Sequence, residues 1–132
     1  MRPSEIQRTI VDAVEWANGV LPGTGENDAL RWPAVIAVCE YVETNAEEVW
    51  DFIVRWGDHE DDDLRDAIAS CGLEHLLEYH FSLIFPRVEE LAKSNPLFAT
   101  TFARCWKFGE SETTANAKRF DQLRLELGFN IA

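Results

Sequence analysis

The sequence predicts an all-α fold: a compact bundle, or a short array of helical hairpins, of seven to eight helices in a single domain over residues 1–132. Three observations carry this. Apolar residues recur at spacings of three and four along nearly the whole chain, no stretch alternates with period two, and helix start and stop residues fall between the apolar runs. At 132 residues, with 46% hydrophobic composition, the chain can bury roughly 65–70% of the surface its unfolded form exposes, enough for one core without staples.

The first expected helix carries Ile6, Ile10, Val14 and Ala17 and closes at Gly19. The stretch VLPGTGENDALRW, residues 20–32, is the one loop rich in glycine and proline. Pro33 suits the first turn of a second helix holding Val35, Ile36, Val38, Cys39 and Val42. Thr44–Glu48 supplies a cap and an acidic first turn for a third, with Val49, Trp50, Ile53 and Trp56 ahead of Gly57. DHEDDD, residues 58–63, leads into a fourth with Leu64, Ala67, Ile68 and Cys71, which continues or restarts at Gly72 and runs to Ile84. Pro86 permits another start through Val88, Leu91 and Ala92. The stretch SNP, residues 94–96, ends it, and Pro96 opens the next, with Phe98, Phe102, Cys105 and Trp106. GESETT, residues 109–114, turns into a last helix with Ala117, Phe120, Leu123 and Leu127. Ile36–Cys39, Ile68–Cys71 and Phe102–Cys105 share a bulky-Ala-x-Cys pattern at spacings of 32 and 34 residues, close to the period of helix-hairpin repeats.

Charge narrows the partner. Twenty-four acids face twelve bases, for a net −12. Between Glu40 and Asp66 stand eleven acids and two bases, so 27 residues hold nine of the twelve net negative charges. Direct nucleic-acid binding is disfavoured, since its affinity rests on neutralising phosphates; a basic protein is the favoured partner. The opposing reading is that the acids only keep the chain soluble. The start of the chain is polar, with no apolar signal region, and its longest apolar run, residues 32–39, is eight residues, far short of the roughly 20 that span a bilayer. A soluble, cytoplasmic protein with no membrane role is expected, and the three cysteines, without a C-x-x-C pair, are expected as reduced, buried thiols.

The stretch CGLEHLLEYHF, Cys71 to Phe81, comes nearest to a chemical motif. On a regular helix Leu73, Leu76, Leu77, His80, Phe81 and Ile84 share one stripe, and His75 falls about 140° from His80. Zinc pairs on a helix sit one turn apart, and H-x-x-E-x-H is one residue too long. His80 therefore reads as a core histidine, and His75 with Glu78 as a solvated pair. DHEDDD fails as a calcium loop in either register: from Asp58 the sixth position is Asp63 rather than glycine and the twelfth Ala69 rather than glutamate, and from Asp61 the twelfth is Gly72. Acids ahead of a helix stabilise its positive end by about 0.3–1 kcal/mol each, but one or two suffice. The surplus makes Glu47, Glu48, Asp51, Asp58, Glu60, Asp61, Asp62 and Asp63 the candidate partner-binding residues, with Trp50 as an aromatic anchor beside them. No cysteine–histidine nucleophile pair, G-x-S-x-G or phosphate-cradling glycine loop stands out, so no catalytic, metal or cofactor residues are assigned.

Leu73, Glu74, Leu76 and Leu77, then Ala92, then Asn95, Pro96 and Phe98, then Trp106 and Gly109 resemble the pattern of a family of small bacterial all-helical domains of unknown function. The resemblance covers about Leu64 to Gly109 and departs from it in having Cys71–Gly72 where the family often has glycine–proline. It implies a bacterial, all-helical domain and no activity. The functional expectation is an acidic protein-binding module, of the immunity type, that neutralises a basic toxin by steric occlusion, with a nuclease as the natural candidate. The alternatives are a helical scaffold or adaptor, and a metal-dependent enzyme using His59, His75 or His80.

Overall fold

The computed structural model describes residues 28–129, with side chains from Arg31 onward, and all regular structure within that span is helical. The expected helix over Ile6 to Gly19 lies outside the described residues. Helix α1 is Asp28–Cys39 and α2 is Ala46–Trp56. A continuous helical run then comprises α3 (Asp62–Ala67), a π-turn (Ile68–Leu73) and α4 (Glu74–Ser94). Helix α5 (Pro96–Ala103), a 3-10 turn (Gly109–Glu112) and α6 (Thr114–Glu126) complete the order.

With the run from Asp62 to Ser94 taken as one, the described residues form five helices and a 3-10 turn, so the seven to eight separate helices expected are not found. Neither suspected break is a chain reversal. At Gly72 the helix widens into the π-turn, which buries Ile68, Ala69, Gly72 and Leu73. Gly72 is needed there: a Cβ would come within 2.9 Å of Cys39 Sγ and 3.4 Å of Ile53 Cδ1, so α1 and α2 both close onto this one backbone position. Pro86 lies inside α4; the kink falls at His80, whose φ of −138° and ψ of 43° are not helical. The Phe81 N–H just beyond the kink takes Glu110 Oε1 at 3.0 Å, so a carboxylate from the 3-10 turn caps the second half of the helix.

Pro33 also sits inside its helix, which begins five residues earlier than expected. As the sixth residue of α1 it lies past the first four N–H groups, which have no partner within the helix, so it removes one intrahelical hydrogen bond. Pro96 lies in the first turn of α5, as the sequence implied, and Asn95 caps the helix by accepting the Phe98 N–H at 3.1 Å.

Two apolar groups make one core. Val35 and Val38 of α1 and Val49, Phe52 and Ile53 of α2 pack with Leu64, Ile68, Leu73, Leu76 and Leu77 of the long run. Beyond the kink, Phe81 stacks on Phe85 at 4.6 Å, and Phe85 meets Phe102 at 6.3 Å and Phe120 at 6.4 Å. Arg119 lies 5.0 Å from the Phe85 ring centroid, closing this aromatic group with a cation. The three bulky-Ala-x-Cys stretches occupy different backbone settings: the end of α1, the π-turn, and the exit from α5.

Candidate functional site

Asp61, Asp62 and Asp63 open α3, and the chemistry of a helix start explains the first of them. Asp61 is the N-cap, accepting the Leu64 N–H at 3.1 Å. The structure then supplies bases from elsewhere in the chain. Arg31 of α1, 4% exposed, reaches Asp61 with both terminal nitrogens at 3.1 Å and Asp63 at 2.9 Å. Trp32 donates its indole N–H to Asp63 at 3.1 Å. Arg65, also buried, donates to the His59 carbonyl at 2.7 Å, to Asp62 at 3.0 Å and to Thr100 at 3.2 Å. Arg104, beyond α5, pairs with Asp62 and lies 3.0 Å from Asp66. The charge run is thus a clasp that draws α1, α3 and the end of α5 together.

The carboxyl groups respond to these contacts. Asp61 is held below its ordinary value chiefly by the Leu64 N–H; burial opposes this, and the Arg31 charge adds a further lowering. Asp62 is lowered by its hydrogen bond to Arg104. Both are carboxylates at neutral pH.

The remaining candidates divide. Glu47 forms a two-pronged pair with Arg87 at 2.7 and 2.9 Å, which lowers its carboxyl. Asp58 accepts from Asn95 at 2.9 Å, tying the end of α2 to the start of α5. Glu48 lies 3.4 Å from Asn45 Nδ2. Asp51 and Glu60 are exposed. Trp50 is not a surface anchor: it is buried, edge-on to Phe98 at 6.0 Å, and the exposed apolar residue on that helix is Val54. With Val49, Trp50, Phe52 and Ile53 all buried, α2 is central, which accounts for its broad apolar arc.

The histidines sit apart. His59 accepts the Asp61 N–H on Nδ1 at 3.0 Å. His80 is half-buried and donates from Nε2 to the Glu43 carbonyl at 3.1 Å; it is not a core histidine, because the kink at that residue takes it off the helical stripe while Phe81 and Ile84 stay inside. His75 meets Glu78 at 2.8 Å, as expected, and stacks on Phe108 at 5.6 Å and 16°. Among the described residues no group of three or more His, Cys, Asp or Glu side chains is placed to hold a metal ion.

The second candidate surface was not visible as a motif. A groove of about 280 Å³ lies between α1 and the π-turn, lined by Ile36, Cys39, Glu40, Ser70, Cys71 and His75. Cys71 and His75 are four residues apart and share it, a pairing that sequence reading passed over. The thiol is not activated: burial and the neighbouring Glu74 charge push Cys71 up, and burial does the same to Cys39. Glu74 itself is buried, accepts the Trp106 N–H at 3.0 Å, and is raised by desolvation. Next to it Trp106 and Phe108 are 65% and 38% exposed. Trp106 looked internal because its apolar spacing continued α5, but that helix ends at Ala103. Gly109, at φ +51°, then turns the chain against Glu78, where a Cβ would lie 2.9 Å from the Glu78 carbonyl oxygen.

No helix in the described residues is long and apolar enough to cross a membrane. No curated protein and no solved structure matches the chain significantly. A model of one family, described only as a family of unknown function, DUF6869, matches residues 22–126. That span takes in every described helix, the acidic clasp and the groove, and the chain belongs to the DUF6869 family.

Proposed function

We propose that this protein is an acidic protein-binding module of the immunity type, which neutralises a basic toxin by covering its working surface. The observation that carries the reading is the concentration of charge: nine of twelve net negative charges lie between Glu40 and Asp66. Several carboxylates there, Glu40, Glu43, Asp51 and Glu60 among them, face solvent. Such a field steers a basic partner and raises on-rate and specificity more than affinity. A nuclease is the natural target, because its substrate cleft must itself be basic. The reading assigns the chain no catalysis and places it in a bacterial cytoplasm, where an immunity protein would meet the toxin.

The test is co-expression with the product of the adjacent gene. Relief of growth arrest, together with co-purification of a basic protein, is the expected result. Continued arrest with no basic protein retained overturns the proposal.

A helical scaffold or adaptor is the second reading, and one observation favours it. Asp61, Asp62, Asp63 and Asp66 are engaged internally by Arg31, Arg65 and Arg104, so the acidic run has a structural reason to exist. Reversing charge at those aspartates would break the clasp as well as the field. Glu43, Asp51 and Glu60 are the better positions. Their change to lysine lowers the partner on-rate at low salt at least tenfold under the first reading and leaves it unchanged under the second.

A further inference from the structure

We infer that the groove between α1 and the π-turn receives a lysine or arginine side chain of the partner. The inference rests on the proposed binding of a basic protein and deepens it by moving the contact away from the aspartate run. The carboxylates of that run are already held by the chain's own arginines, Arg31 buried behind them and Arg104 across them. The groove differs in chemistry.

Its walls are apolar: Ile36, 46% exposed at the rim, and the two thiols of Cys39 and Cys71. Among the described residues its charged lining residue is Glu40, exposed at the mouth, and no lysine or arginine lines it. On the far side, His75 carries Glu74 at 3.6 Å and Glu78 at 2.8 Å. Apolar walls with the Glu40 carboxylate at their edge fit a long aliphatic stem with a cationic head. At about 280 Å³ the space lies below the roughly 300–1,000 Å³ of pockets for drug-sized ligands, which suits one inserted side chain. Exposed Trp106, anchored by its backbone N–H on Glu74, stands next to this site as a large apolar contact for the surrounding partner surface.

The probe is the peptide Ac-Leu-Lys-Leu-NH2, titrated into the 15N-labelled full chain at about 150 mM salt, where unpaired surface charges are screened beyond roughly 8 Å. Saturable shifts confined to Ile36, Glu40, Ser70, Cys71 and His75 are expected. They should weaken at least tenfold in Glu40→Lys and disappear with the norleucine analogue of the peptide. Diffuse shifts over the acidic surface, shifts centred on Asp61–Asp63, or none at all overturn the inference. Ile36 and Glu40 are exposed, so Ile36→Asp and Glu40→Lys leave the core intact. If a basic protein partner binds both variants as tightly as wild type, the groove assignment fails while the functional reading stands. If the peptide binds in the groove and no basic protein is found, the functional reading fails instead.

Discussion

Replacing Arg31 with methionine tests whether the acidic run is a structural clasp. The side chain is nearly all buried, and among the described residues it makes three hydrogen bonds to carboxylates at 2.9–3.1 Å. Removing one member of a fully buried ion pair costs about 3–5 kcal/mol, because the other charge is left uncompensated. Here the stranded side chains of Asp61 and Asp63 are 26% and 52% exposed, so water recovers part of their solvation. The discounted loss is about 2 kcal/mol, or roughly 8 °C in Tm for a chain of this length. Urea titration followed by tryptophan fluorescence reads it directly. A double-mutant cycle with Asp61→Asn, which keeps the helix cap, isolates the pair from the other contacts of Arg31 and should give a coupling of about 1 kcal/mol or more. The pH dependence has a definite sign. Asp61 is lowered on folding from an ordinary value of 3.8, so its contribution is full above that value and is lost as pH falls through the lower, folded one. The coupling should hold from pH 7 to about pH 5 and fade in stronger acid. A destabilisation under about 0.5 kcal/mol, the scale of an ordinary surface change, or a coupling of zero at pH 7, refutes the clasp.

Three further outcomes follow from the packing. Gly72→Ala should cost about 1–3 kcal/mol by overpacking against Cys39 Sγ and Ile53, and adding Cys39→Ala should restore much of it in the same urea assay. Glu110→Gln should leave a weaker cap on the Phe81 N–H, seen as faster amide hydrogen exchange at Phe81 with little change at Leu76 or Leu77. Of the three thiols, only Cys71 should react with a disulfide reagent in the native state, more slowly at pH 7 than a free cysteine because its thiolate is disfavoured. Equal reactivity of Cys39 or Cys105 would mean that the core opens.

Sequence by itself determined the helical class, because spacings of three and four reflect a local geometry that each segment carries alone. It also located two helix starts, Pro96 for α5 and the acids before Leu64 for α3, whereas the caps expected within Thr44–Glu48 and residues 109–114 make no side-chain hydrogen bond to their helices. The stretch Cys71–Phe81 was read as helix, and it is helical, but its phase was lost at His80, since a kink stabilised by Glu110 from 29 residues away has no local signature. The π-turn was invisible for the same reason: Gly72 permits it, while the contact that requires it comes from Cys39 and Ile53. Whether a tryptophan was core or surface depended on tertiary placement: Trp50 went inside because α2 is central, and Trp106 outside because α5 ends at Ala103. Above all, one-dimensional charge counting left the aspartates unpaired. Only folding brings Arg31 and Arg104, 30 and 42 residues away, onto Asp61 and Asp62, and it leaves Glu40 facing a groove with no base among the described residues of its lining.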